Sequence, residues 1–200
     1  MRAELVKLAT LPSLRWTAVL TWGATALLAI AAHRGAPTGD PVATALRWTQ
    51  AGFLILGVLA MAQEYEAGGQ IRATLLASPR RYRLVTAKAT AVVAASVLVA
   101  LPIALAPPAP IRLWLPIYLA GVALFGAAAA TVFRNALAAT GVSLSTYLVL
   151  CPLARAANPA LAPWLPDTGL LEPSRGAVAA LVWPLTLTAV AAVTFRHRGA

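Results

Sequence analysis

Several residue types that site chemistry relies on are scarce here: one cysteine, two histidines and six acidic residues in 200. A metal site needs converging Cys, His or carboxylate ligands, which one Cys and two distant His do not supply. His33 and His197 fall on opposite sides of a membrane in the topology below, so neither can activate Ser143 or Ser145 within a bilayer. None of the six acids lies inside a long apolar run. Ion-coupled carriers generally place an Asp or Glu in the bilayer to bind and release protons or sodium, so their absence points to an external energy source. It also turns the cargo expectation away from hydrophilic cations and toward apolar or amphipathic molecules, such as a peptide, lipid or drug. A GxxxxGK[ST] loop is missing too, so ATP hydrolysis would have to occur on a separate chain. Cys151 reads as a small buried residue, with pairing between subunits as the other reading.

What is abundant is apolar. Hydrophobic residues make up 60 % of the chain and charged ones 11 %, with a mean hydropathy of +0.77, above what a soluble domain carries. Runs of membrane length occur at about 16–32, 43–62, 84–105, 113–133, 136–153 and 177–195. The fold class expected is an all-α integral membrane protein with six transmembrane helices in one domain, 1–200. Eleven of the sixteen Lys and Arg fall on one side of this arrangement; Arg34, Arg47, Arg112, Arg155 and Arg175 fall on the other. The excess of basic residues marks the cytoplasmic side, so both termini are expected inside a plasma or inner membrane. A net charge of +10 would suggest nucleic acid in a soluble protein; at the ends of spans it reads as topology and lipid headgroup contact.

Within that frame, residues 1–15 form an amphipathic start, with Leu5, Leu8 and Leu11 recurring until Pro12. An elbow helix on the membrane face is one reading and a cleaved signal peptide ending near Ala31 is the other. Gln50, about a turn inside Arg47 and Trp48, is read as an interhelical hydrogen bond or a substrate-side polar group. Gly121, Gly126 and Ala127–Ala130 make a small-residue face suited to close helix packing. Arg134-Asn135 is a very tight turn. Ser143, Ser145, Thr146 and Tyr147 form the most polar stretch within any span. The connection from Arg155 to Gly176 is rich in Pro and apolar residues, and is expected to pack at the membrane surface.

The longest charged interval is Glu64 to Lys88, EYEAGGQIRATLLASPRRYRLVTAK, between the second and third runs. Gly68-Gly69 breaks it and Pro79 stops it, leaving Gln70 to Ser78 for a short helix. At about 100° per residue, Ile71, Leu75 and Leu76 span an arc of roughly 140°, with Arg72 pointing out of its middle. A helix sinking into lipid would keep Arg out of that arc, whereas one docking on protein would use it as an anchor. The plain alternative is a cytoplasmic loop, basic because of its side of the membrane.

The order of a Glu ending a span, a Gly pair, Ile-Arg-x-Thr-Leu-Leu, Pro-Arg-Arg and a Lys entering the next span resembles one loop of type-2 ABC transporter permeases. In that family the loop between spans two and three carries a coupling helix that sits on the ATPase subunit. The match covers roughly these 25 residues, and the rest resembles the family in span count and spacing. Gln70 departs from the more usual Thr. The resemblance implies a permease subunit of an ATP-driven exporter. Its partners would be an ABC ATPase, a second permease copy, identical or not, and membrane lipid, with no nucleic acid. No cofactor would bind this chain, Mg-ATP being held by the ATPase. Ile71, Arg72, Thr74, Leu75 and Leu76 would contact the ATPase. Glu64, Gly68, Gly69, Pro79, Arg80 and Arg81 would shape the loop, with Glu64 pairing with Arg80, Arg81 or Arg83. Two rival classes are a lipid-modifying enzyme, which would need convergent acids or a nucleophile–base pair, and a non-transporting membrane anchor or assembly subunit, which needs no site.

Overall fold

The computed structural model describes residues 10–35, 40–63, 65, 81–105, 113–167, 170 and 173–197. Six helices long and apolar enough to cross a membrane run through them: α1 Pro12–Gly35, α2 Pro41–Ala62, α3 Arg81–Ala104, α4 Trp114–Phe133, α5 Ala136–Ala157 and α6 Pro173–His197. The shortest, α4, has 20 residues, about 30 Å at 1.5 Å per residue, which matches the bilayer's hydrocarbon core. No strand occurs among the described residues.

Local chemistry sets the helix ends. Proline opens α1, α2 and α6, where its missing N–H costs nothing. Asp40 caps α2, its Oδ1 accepting from the N–H groups of Val42 and Ala43 at 3.0 and 3.2 Å. The expected tight turn after α4 is present. Arg134 is left-handed (φ 52°) and donates its N–H to the Ala130 carbonyl, and Asn135 caps α5 through the N–H of Ala138. Most helices reach beyond their apolar runs: α1 begins at Pro12 rather than Trp16, α3 begins at Arg81 rather than Leu84, α5 continues past Leu153 to Ala157, and α6 begins at Pro173 rather than Ala177. Apolar windows track hydrocarbon depth, whereas helices extend into the interface until a cap stops them.

The hub is α4, 83 % of whose membrane-length window is buried, against 22 % for α1 and α5 and 28 % for α6. It packs on α2, α3, α5 and α6, while α1 packs on α2. The small-residue face predicted for α4 is what allows this. A Cβ on Gly126 would stand 2.3 Å from the Leu54 carbonyl oxygen of α2. Reciprocally, a Cβ on Gly57 of α2 would clash with the Ala123 carbonyl of α4. Leu46, Phe53, Leu54, Leu119 and Val122 fill the space beside these contacts. The outward faces of the remaining helices carry Trp16, Leu20, Leu27, Leu137, Leu185 and Val193 in the open, which suits lipid and not water. The protein is therefore a multi-pass α-helical membrane protein.

Prolines inside three helices each remove one backbone donor, and neighbouring elements pack close to these positions. Beside Pro102 of α3, the Trp22 indole N–H of α1 donates to the Val99 carbonyl at 2.7 Å. Near Pro184 of α6, Gly121 lets the α4 backbone approach the Ala180 carbonyl. In α5, Pro152 follows a π-helical turn over Thr146–Leu150, in which the N–H of Cys151 reaches back to the Thr146 carbonyl.

Candidate functional site

Two ends of the bundle bring polar groups together. At the first, where α2 ends and α4 turns into α5, Gln63 Nε2 donates to Ser13 Oγ of α1 at 2.8 Å. The Arg134 guanidinium lies over the Tyr65 ring, 5.9 Å from its centroid. Tyr65 is the second residue of the charged interval, so this contact fixes where that interval leaves the bundle. Lys88, at its other end, sits in the second turn of α3 and is buried and partnered. The residues expected to couple to an ATPase, Ile71, Arg72, Thr74, Leu75 and Leu76, lie outside the described residues. So do Glu64, Gly68, Gly69, Pro79 and Arg80, and of Arg81 only the backbone, opening α3, is described. Residues 1–9 of the expected amphipathic elbow also lie outside them, while Pro12–Arg15 form the first turn of α1.

Toward the opposite end α2, the second half of α5 and the segment after it enclose a cavity of about 60 Å³. Arg47, Gln50, Tyr147 and Asp167 line it with Trp48, Leu148, Pro152 and Leu170. Helix register explains the convergence. Arg47 and Gln50 are three apart on α2, and Tyr147 and Cys151 are four apart on α5, so each pair shares a face. Gln50 makes the interhelical bond expected of it: Tyr118 of α4 donates its O–H to Gln50 Oε1 at 2.7 Å. Its Nε2 donates to the Arg47 carbonyl at 3.0 Å, and the residue also lines the cavity. Tyr147 stands edge-on to Phe125 of α4, with ring centroids 5.2 Å apart and an interplanar angle of 76°. Cys151 is buried, as its isolation in the sequence suggested.

The acid at this site was not legible as a site residue. Asp167 belongs to the Pro-rich connection, yet only 6 % of it is exposed. After α5, Asn158 caps a short 3₁₀ helix, Pro159–Trp164, whose last carbonyl accepts the Trp183 indole N–H of α6. The connection thus touches the bundle through Trp164 and folds Asp167 inward. There its Oδ2 accepts from Arg155 Nη2 of α5 in an ion pair. Its Oδ1 is buried with no hydrogen-bond partner among the described residues. Cys151 and Tyr147 are within electrostatic reach of the same carboxylate.

Elsewhere the polar groups of the spans are consumed by packing. Thr25 and Thr49 hydroxyls meet at 2.8 Å and tie α1 to α2. In the polar stretch of α5, Thr146 Oγ1 donates back to the Val142 carbonyl. Ser143 is fully buried, its Oγ without a partner among the described residues. Compared with family profiles, with curated proteins and with solved structures, the chain matches none.

Proposed function

We propose that this chain is the permease subunit of a type-2 ABC exporter, moving an apolar or amphipathic cargo across a cell membrane. It would work with a second permease copy and a separate ATPase that binds Mg-ATP. The observation that carries the reading is the position of the Gly68-Gly69…Ile71-Arg72…Pro79-Arg80-Arg81 interval within a six-helix bundle. It joins α2 to α3, and it leaves from the end that also holds the α1 N-terminus and the tight α4–α5 turn. In the resembled family that connection carries the coupling helix. Orientation supports it: this end holds most of the Lys and Arg, which puts it in the cytoplasm, where an ATPase is found.

A pull-down with the ATPase tests this at one residue. Arg72 emerges from an apolar arc, and removing a charged hydrogen-bonding group from a partly buried contact costs about 1.5–3 kcal/mol, roughly ten- to a hundredfold in affinity. Arg72→Ala should loosen ATPase association and uncouple hydrolysis from transport while membrane insertion stays intact. Arg83→Ala removes the same charge from the same interval at a position expected from the sequence to meet headgroups, where an Arg contributes only about 1 kcal/mol of lipid attraction. Loss of association in Arg83→Ala with retention in Arg72→Ala would contradict the assignment. A non-transporting anchor would retain no ATPase in either case.

A further inference from the structure

We propose that the cavity between α2, α5 and the segment after Trp164 binds a primary ammonium group joined to an anionic group, as in the phosphoethanolamine headgroup of a membrane lipid. The inference rests on the cavity alone and holds whether or not the chain works with an ATPase.

The argument begins with Asp167. One oxygen is held by Arg155; the other is buried and bare among the described residues, in a residue that lines the cavity. A buried carboxylate oxygen without a donor is costly, and a charged N–H donor satisfies it best. A metal ion fits poorly. Hard cations want several oxygen ligands, and no three Asp, Glu, His or Cys side chains cluster among the described residues. Arg155 occupies one carboxylate oxygen, which leaves the other for a compact group with N–H donors.

Across the cavity stands Arg47. It is exposed, and its guanidinium makes no hydrogen bond or ion pair with a described residue. A guanidinium so placed suits a phosphate or carboxylate, which it can bind with two parallel N–H bonds. An acceptor for N–H and a donor for an anion thus share one small cavity, and a zwitterion complements both. The volume of about 60 Å³ exceeds the 10–15 Å³ or so that a single water needs, so the cavity has room for an ammonium group and the carbons behind it.

Depth argues for a lipid source. Arg47 lies about 9 Å along the axis from Pro41, where α2 begins. Its neighbour Trp48 is 66 % exposed and Trp164 of the 3₁₀ helix is 69 % exposed, and indoles gather at headgroup level. The mouth of the cavity therefore opens where phospholipid headgroups lie.

The full chain, purified and stripped of lipid in detergent, would be titrated with short-chain phosphatidylethanolamine, phosphatidylcholine and phosphatidylglycerol, with bound lipid counted by native mass spectrometry. Phosphatidylethanolamine should bind on the order of tenfold tighter than either of the others. A trimethylammonium has no N–H for Asp167, and glycerol has no charge. Asp167→Asn should remove most of that preference. Arg47→Gln, at an exposed position where folding is unaffected, should weaken all three lipids together and leave the melting temperature unchanged. Free phosphoethanolamine separates the sources: competition at the same concentrations means the headgroup alone is recognised, and failure to compete means a membrane lipid is required. Equal affinity for the three lipids, or a preference that survives both substitutions, would overturn the proposal and leave the cavity to water.

Discussion

Gly57→Ala should cost the fold about 3 kcal/mol or more, the upper range for overpacking a tight interior, and sharply reduce the folded protein recovered from membranes. The added methyl has nowhere to go. Its carbon would fall on the Ala123 carbonyl oxygen, a backbone atom of the hub helix that no rotamer change can move. Relief requires α2 and α4 to separate, and that crossing organises the core around Phe53, Leu54, Leu119 and Val122. Helix association in lipid lacks the hydrophobic drive available in water and depends on such close packing. Gly126→Ala should behave alike, since its Cβ would meet the Leu54 carbonyl from the other side. Gly141→Ala in α5 is the control. Nothing lies within 4 Å of a Cβ there, so the change should be neutral. Fluorescence-detected size exclusion after mild heating compares the three.

The second large effect is asymmetric. Arg155 and Asp167 form an ion pair in which the Asp side chain is 8 % exposed and the Arg side chain 23 %. Arg155→Met would strip Asp167 Oδ2 of its partner while Oδ1 already lacks one among the described residues, leaving a buried carboxylate bare. Removing one partner of a buried pair costs about 3–5 kcal/mol, and the partial exposure of Arg155 puts this case at the lower bound. Asp167→Leu should cost less, because Arg155 can still turn toward water. The double variant Arg155→Met with Asp167→Leu should recover much of the loss, since an apolar pair of similar volume avoids desolvating charge. Thermal unfolding of the four proteins in one detergent provides the cycle. Equal losses in the two single variants would mean that the pair is effectively solvent-screened.

These two sites differ in how far the sequence announces them. The α2–α4 crossing was readable as a small-residue face because Gly121, Gly126 and the alanines after it stand together in one apolar run. The six helices were readable because 20 apolar residues in lipid have no alternative to a helix. The Arg134-Asn135 turn was readable from its shortness. The Asp167 site was not. Its connection has no periodicity, and Arg155 and Asp167 meet only because a 3₁₀ helix reverses the chain between them. Gln50 signalled a polar contact, but nothing local names Tyr118, 68 residues away, as its partner. The π-helical turn in α5 left one clue, Pro152, whose missing N–H disturbs the ladder behind it. A census of acids within the apolar runs does not reach Asp167, which lies outside them and is buried by a loop that folds back.

The proposed division of labour, with translocation in this chain and ATP hydrolysis in another, is tested most directly by measuring ATPase activity in two preparations from the same membranes. The chain purified to homogeneity should hydrolyse no ATP, because it contains no phosphate-cradling loop. The complex isolated in mild detergent through a tag on this chain should contain an ATP-binding-cassette subunit and hydrolyse ATP. Robust hydrolysis by the chain alone, or a complex that holds no such ATPase, would contradict the account.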